Sequence, residues 1–230
     1  MTSKRLFTTI VFDLDGTLLD TAPDVHYCSN QALRAMGLPE ITLAQARASI
    51  GPGPDNFARV TLGEHNMHRF GEFITRFREL YAEHCLVHTR PFPGVAELLR
   101  ALAGYRLAIA TNKPGPYTRR ILEGLDLRKY FHAVICPEEV EHLKPHPEMI
   151  LTAMQRTGSS PETTLVVGDT DNDIYAARAA GVTACAVLWG YGPRAVLEAL
   201  RPEFVASSPE ELLAVLNGTA TTGSLPSETR

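Results

Sequence analysis

Leu6–Phe12 (LFTTIVF) is a run of apolar and β-branched residues that stops abruptly at Asp13. A run this short and this rich in β-branched and aromatic side chains predicts a buried strand. Comparable runs recur at Tyr105–Thr111, Phe131–Cys136, Thr164–Gly168 and Val182–Leu188. Helical spacing fills the intervals. Pro93–Ala103 places Val95, Leu98, Leu99 and Leu102 on one face, with proline near its start. Pro116–Leu125, Pro147–Thr157, Asp171–Ala180 and Arg194–Leu200 continue the alternation. Strand–helix order at this spacing predicts an α/β fold, a doubly wound parallel sheet with helices on both faces.

One stretch departs from that rhythm. Between Thr21 and Thr89 the pattern is helical throughout. Pro23–Met36 is a helix stopped by Gly37. Over His65–Cys85, Met67, Phe70, Phe73, Ile74, Phe77, Leu80 and Tyr81 recur at steps of three and four. That spacing packs one helix face against other helices, and it reads the phenylalanines as core rather than as a binding face. The predicted organisation is therefore an α/β core over residues 1–20 and 91–217, with an all-helical module over 21–90. The expected hinges are Asp20–Pro23 and Arg90–Gly94. Residues 218–230 (GTATTGSLPSETR) are small and polar, and predict a disordered tail.

Composition narrows the setting. The apolar fraction is 44%, the charged fraction 21% and the net charge −4, with both signs interspersed. No basic stripe suited to nucleic acid stands out, so the expected partner is a small molecule. Cys28, Cys85, Cys136 and Cys185 are far apart and form no C-x-x-C pair, as expected of reduced thiols in a cytoplasmic protein. The N-terminal residues lack the apolar stretch of a signal peptide, and no run is long enough to span a bilayer. Composition says nothing of oligomeric state.

In a parallel sheet, ligands bind beyond the carboxyl ends of the strands. Four polar clusters fall there: Asp13-Leu14-Asp15-Gly16-Thr17, Thr111-Asn112-Lys113-Pro114, Lys144-Pro145, and Gly168-Asp169-Thr170-Asp171-Asn172-Asp173. Asp13, Asp15, Asp169 and Asp173 brought together cannot all stay ionised without compensation. A divalent cation and Lys144 supply it, and an all-oxygen ligand set suits Mg2+ completed by a substrate phosphate. Asp13 is the expected nucleophile, because a carboxylate attacks phosphorus without first losing a proton. Asp15 is the expected general acid and base, a role worth ~10²–10⁴-fold. Gly16 lets main-chain N–H groups turn toward phosphate, and Thr111 and Lys144 hold the phosphoryl oxygens. Thr17 and Asn112 are counted with them as substrate-binding.

Other patterns carry simpler readings. Asp169-x-Asp171-x-Asp173 opens like a calcium loop, but Ile174 and Ala180 stand where that loop needs Gly and Glu. Pro145 and Pro147 exclude a regular helix from His142 to His146, which argues against a metal-binding helical pair. His65 and His68 read as surface residues, and Asp171 as facing solvent. Arg47 is either an exposed helix arginine or a partner for a substrate carboxylate.

The segments DLDGTLLDT (Asp13–Thr21), TNKP, LKPHP (Leu143–Pro147) and GDTDND resemble the four motifs of the haloacid dehalogenase superfamily. The helical module resembles the cap of its first subfamily, and within the superfamily the chain is most similar to phosphoglycolate phosphatases. That resemblance implies an aspartyl-phosphate on Asp13 and Mg2+ held by Asp13, Asp169 and the main-chain carbonyl of Asp15. It also implies support from Asp173, and a loop at Gly51 and Gly53 that closes over the substrate. 2-Phosphoglycolate is the substrate it suggests. A phosphosugar mutase, a phosphatase for pyrophosphate or sugar phosphates, and a catalytically silent binding protein are the alternatives.

Overall fold

The computed structural model describes residues 6–51 and 53–218. Among the described residues eight short strands form two sheets: β1 (Thr9–Phe12), β2 (Leu19–Asp20), β3 (Arg90–Pro91), β4 (Arg106–Ala110), β5 (Ala133–Ile135), β6 (Thr164–Gly168), β7 (Thr183–Val187) and β8 (Phe204–Ala206). Six of them form one sheet in the order β5-β4-β1-β6-β7-β8, with every neighbouring pair parallel. β1 sits at the centre and is buried along its whole length, which is why its sequence is continuously apolar. Period-two alternation assigns its side chains. Ile10 and Phe12 join the apolar cluster on one face, and Val11 joins the cluster on the other.

Helices close both faces. The described residues form ten α-helices: α1 (Ala22–Ala35), α2 (Leu43–Ser49), α3 (Pro54–Leu62), α4 (Phe70–His84), α5 (Val95–Ala101), α6 (Gly115–Gly124), α7 (Glu148–Thr157), α8 (Asp171–Ala179), α9 (Arg194–Ala199) and α10 (Pro209–Leu216). Residues of α7 and α8 pack with Val11, Ala108 and Val166. Residues of α5, α6 and α10 pack with Phe12, Ile109 and Val167, in a cluster that continues into α1 and α4. The doubly wound parallel sheet and helical insertion expected from the pattern are both present. The expected single helix over His65–Cys85 is instead a 3₁₀ segment, Glu64–Arg69, followed by α4. β2, β3, β8 and α10 are additions, and all of the expected disordered tail except Gly218 lies outside the described residues.

The insertion leaves and rejoins the sheet through two strands that pair with each other. β2 and β3 are antiparallel, with Leu19 opposite Pro91 and Asp20 opposite Arg90. Asp24, fully buried in the first turn of α1, fastens the returning chain by accepting bonds from the backbone N–H of His88 and Thr89 and from the Thr89 hydroxyl. Tyr191 fixes the departing chain. Its hydroxyl accepts from the N–H of Thr21 and Ala22 and donates to Asp20 Oδ1 at 2.8 Å. Two N–H groups at the start of α1 thus find a side-chain partner where no N-cap side chain supplies one. Among the described residues no helix is long and apolar enough to cross a membrane.

Candidate active site

The chain runs β1, β4, β5 toward one side of the sheet and then returns to β6 on the other side of β1, so the strand order reverses beside β1. The crevice at such a reversal is where ligands bind in open α/β sheets. Asp13 follows β1 directly, and its N–H extends the ladder by donating to Val167 O at 2.9 Å. Asp169 directly follows β6, and Thr111 directly follows β4.

Lys144 joins the clusters. Its ammonium donates to Asp13 Oδ1 at 2.7 Å and to Asp173 Oδ1 at 2.6 Å. Asp173 can reach it because the first turn of α8 fixes its rotamer: Asp173 Oδ2 accepts from the N–H and hydroxyl of Thr170, the N-cap. Asp169 accepts from the Thr17 hydroxyl at 2.8 Å and from Tyr191 N–H at 2.7 Å. The carboxylates of Asp13, Asp169 and Asp173 converge within 4.8 Å of one another, all buried. Three carboxylates face one ammonium, a surplus of two negative charges. Burial pushes Asp13 well above the ordinary carboxylate range against the pull of Lys144, and burial together with Asp173 lifts Asp169 to about 7. Burial alone would lower Lys144, but Asp13 and Asp173 outweigh it and keep the ammonium charged. A divalent cation matches that surplus in sign and size, and three oxygen donors suit a hard one.

Asp15 has its own cation. Lys113 donates to Asp15 Oδ1 at 2.9 Å, and the Thr21 hydroxyl donates to the same oxygen at 2.5 Å. The Lys113 ammonium lies 4.9 Å from the ring centroid of Tyr81 on α4, so the helical insertion covers this pair. The Asp15 carboxylate is bonded to Lys113 and Thr21 and is not part of the Asp13, Asp169 and Asp173 cluster.

These groups floor a cavity of about 670 Å³ between the sheet and the insertion. Asp13, Asp15, Thr111, Lys113, Lys144 and Asn172 line it from below; Ile50, Gly51, Gly53, Phe57, Ile74, Phe77, Arg78 and Tyr81 from above. Thr111 accepts from Lys113 N–H at 3.1 Å and still lines the cavity. Phe77 both packs against Phe57, centroids 4.7 Å apart, and forms part of the wall, so the phenylalanine stripe is core and cavity surface together.

Several expected contacts are placed elsewhere. Gly16 does not line the cavity. Its N–H donates to Leu19 O, and its φ of 84° and missing Cβ are explained by Asp169, whose carboxylate a side chain would strike. Thr17 spends its hydroxyl on Asp169. Asn112 does line the cavity, and it also donates to Gly51 O at 2.9 Å and Lys144 O at 3.0 Å and accepts from Lys144 N–H, so it brackets the glycine loop to the Lys144 segment. Arg47 lies half-exposed, 3.8 Å from Asp20, outside the cavity lining. Asp171 is half-buried in the first turn of α8, apart from the acidic cluster.

Four residues were not anticipated: Lys113, Tyr191, Arg78 and Asn172. The Asn172 Nδ2 is buried in the cavity lining with no hydrogen-bond partner, an orphan donor of the kind a ligand oxygen satisfies. The spacing of TNKP and GDTDND contained Lys113 and Asn172, but only their partners reveal their orientation.

The profile of haloacid dehalogenase-like hydrolases matches residues 10–187. A phosphoglycolate phosphatase of Aquifex aeolicus is 34% identical over 211 residues, covering 90% of this chain and 96% of the relative. One from Escherichia coli is 34% identical over 230 residues, covering 90% and 91%. The crystal structure of a protein described as a predicted phosphoglycolate phosphatase from Haemophilus somnus superposes with a TM-score of 0.86 at 28% identity, covering 93% of this chain and 99% of that one.

Proposed function

Because the chain belongs to the haloacid dehalogenase-like hydrolases and is a phosphoric monoester hydrolase of that family, we propose that it hydrolyses 2-phosphoglycolate through an aspartyl-phosphate on Asp13. The carrying observation is the buried Asp13, Asp169 and Asp173 cluster with its single ammonium. Asp13, Asp169 and the Asp15 carbonyl would hold Mg2+, with Asp173 beside them. The ion supplies charge neutralisation for the phosphate and the attacking carboxylate.

Lys144 holds one Asp13 oxygen and leaves the other as the attacking atom. Lys144, Thr111 and the orphan Asn172 amide bind the phosphoryl oxygens, where charge builds as the phosphoryl group passes between oxygens. Asp15 gives its proton to the departing alkoxide, so the P–O bond to the alcohol breaks as the Asp13–phosphorus bond forms. It then takes a proton from water, which attacks phosphorus and restores the Asp13 carboxylate. The helical insertion, residues 21–90, acts as a cap. It covers the cavity during transfer and opens at the β2–β3 ribbon for product release.

Arg78, not Arg47, is the cation suited to the glycolate carboxylate. It lines the cavity, whereas Lys113 and Lys144 are each already paired. Arg78→Ala should lower kcat/KM for 2-phosphoglycolate by about 10–100-fold, the loss of one charge-assisted bond, and leave p-nitrophenyl phosphate turnover within about twofold. Equal losses on both substrates would overturn the assignment. A second reading, a phosphoester of a larger alcohol, is favoured by the apolar wall of Ile50, Phe57, Ile74 and Phe77. A panel of phosphorylated metabolites ranked by kcat/KM separates the two.

The elevated carboxyl of Asp169 adds a pH signature. An acid whose folded value is raised to about 7 stabilises the metal-free protein below its ordinary range, and that stability is lost as pH rises through about 7. Mg2+ competes with that proton. The rise in melting temperature on adding Mg2+ should therefore be larger at pH 7.5 than at pH 5.5, as scanning calorimetry would register. A rise independent of pH would place the ion elsewhere.

A further inference from the structure

The segment that carries Lys144 has an outer face, and that face gathers metal ligands. We propose that His142, His146 and Glu148 form a second cation site, of the zinc class, on the surface of the molecule. Pro145 and Pro147 keep His142 and His146 off one helix, yet the loop brings their rings to 4.4 Å between centroids. His142 Nδ1 lies 3.0 Å and His146 Nδ1 3.8 Å from the same oxygen, Glu148 Oε2. Four-coordinate zinc with bonds of about 2.0–2.1 Å sets its donors about 3.4 Å apart. These two separations bracket that value, and one donor atom from each residue lies within 4.8 Å of the others.

The ligands are held before any ion arrives. Glu148, at the start of α7, accepts from Glu141 N–H at 2.8 Å through Oε1 and from His142 N–H at 3.0 Å through Oε2. Such outer bonds orient a ligating carboxylate. A proline on each side of His146 restricts its backbone, so less freedom is lost on binding. Two imidazoles and one carboxylate select zinc or its transition-metal neighbours over magnesium, which takes oxygen donors. The cation displaces the proton that His142 Nδ1 shares with Glu148, and His146 gives up a long 3.4 Å bond from Glu148 N–H. Both histidines are exposed, which leaves the fourth position to water. All four cysteines are buried, so no thiol competes from the surface.

Lys144 lies between the two histidines in sequence, but its ammonium points inward to Asp13 and Asp173. The two sites thus occupy opposite faces of one segment. An ion on the outer face braces the backbone that places Lys144.

The test is a zinc titration of the full chain against a chromophoric chelator, with Mg2+ saturating throughout. Wild type and H65A/H68A should take up one equivalent more than H142A/H146A, and E148Q, which loses a charged ligand, should bind that equivalent at least about 10-fold more weakly, no less than the loss of an outer-shell partner costs. Cobalt in place of zinc should give a visible absorption band that H142A/H146A lacks. The metal-free melting temperatures of the histidine variants should match wild type, because the changed side chains are exposed. Equal uptake by wild type and H142A/H146A, or loss of the extra equivalent in H65A/H68A, overturns the site.

Discussion

Asp13→Asn should reduce phosphate release by about 10⁴-fold or more, the scale seen when a nucleophile is removed, while the protein melts at or above the wild-type temperature in the absence of Mg2+. Both halves follow from the same arrangement. The carboxamide is a poor nucleophile toward phosphorus, so no covalent intermediate forms. Its neutrality removes one of three clustered negative charges and leaves Lys144 its bond to Asp173. Steady-state release of inorganic phosphate, with circular dichroism to verify the fold, reads both quantities. Activity above about one per cent of wild type would move the nucleophile to another residue.

Asp15→Asn should behave differently. Turnover of alkyl phosphates should fall by ~10²–10⁴-fold, but p-nitrophenyl phosphate, whose leaving group needs no proton, should still phosphorylate Asp13. Water attack then lacks its base. A burst of p-nitrophenol followed by a slow steady state is expected, with covalent phosphate on Asp13 visible by intact mass. The substitution also withdraws the counter-charge from Lys113, which is buried over the Tyr81 ring. Asn can still accept from Lys113 and Thr21, so the cost should be about 1–3 kcal/mol, measured by urea denaturation. A variant with no burst and full stability would take Asp15 out of the proton-transfer role.

The contrast between legible and hidden features follows the range of the interactions involved. β6 coincides with the apolar run Thr164–Gly168, and β1 with the end of Leu6–Phe12, because strands buried on both faces need continuous apolar sequence. β2 and β3 are two residues each and offer no period to detect. The start of α10 did carry a signal, since Ser208-Pro209-Glu210-Glu211 is a cap followed by a helical first turn. At the site, Asp13, Asp169, Asp173 and Lys144 could be read from strand ends, as the sheet itself delivers them to one edge. Gly16, Thr17 and Asn112 sat in the right clusters, but their hydrogen bonds run to Leu19, Asp169, Gly51 and Lys144. Such choices depend on partners up to 152 positions away, which no local spacing encodes. Arg47 illustrates the same limit, because Asp20 claims it.

Leu19 pairs with Pro91 and Asp20 with Arg90, so the insertion begins and ends at one point of the core. The whole helical insertion stands where a hairpin's two-residue turn would stand. Excising it and joining Asp20 to Arg90 through Asn-Gly leaves the strand pairing of the six-stranded sheet unchanged, and uncovers the part of the apolar cluster that continues into α1 and α4. The upper wall of the cavity, with Phe57, Phe77 and Arg78, leaves with the excised piece, whereas the acidic cluster and Lys144 remain behind. On the proposed mechanism the nucleophile and its cation site would then act as a socket, and lids of different size could be set over it.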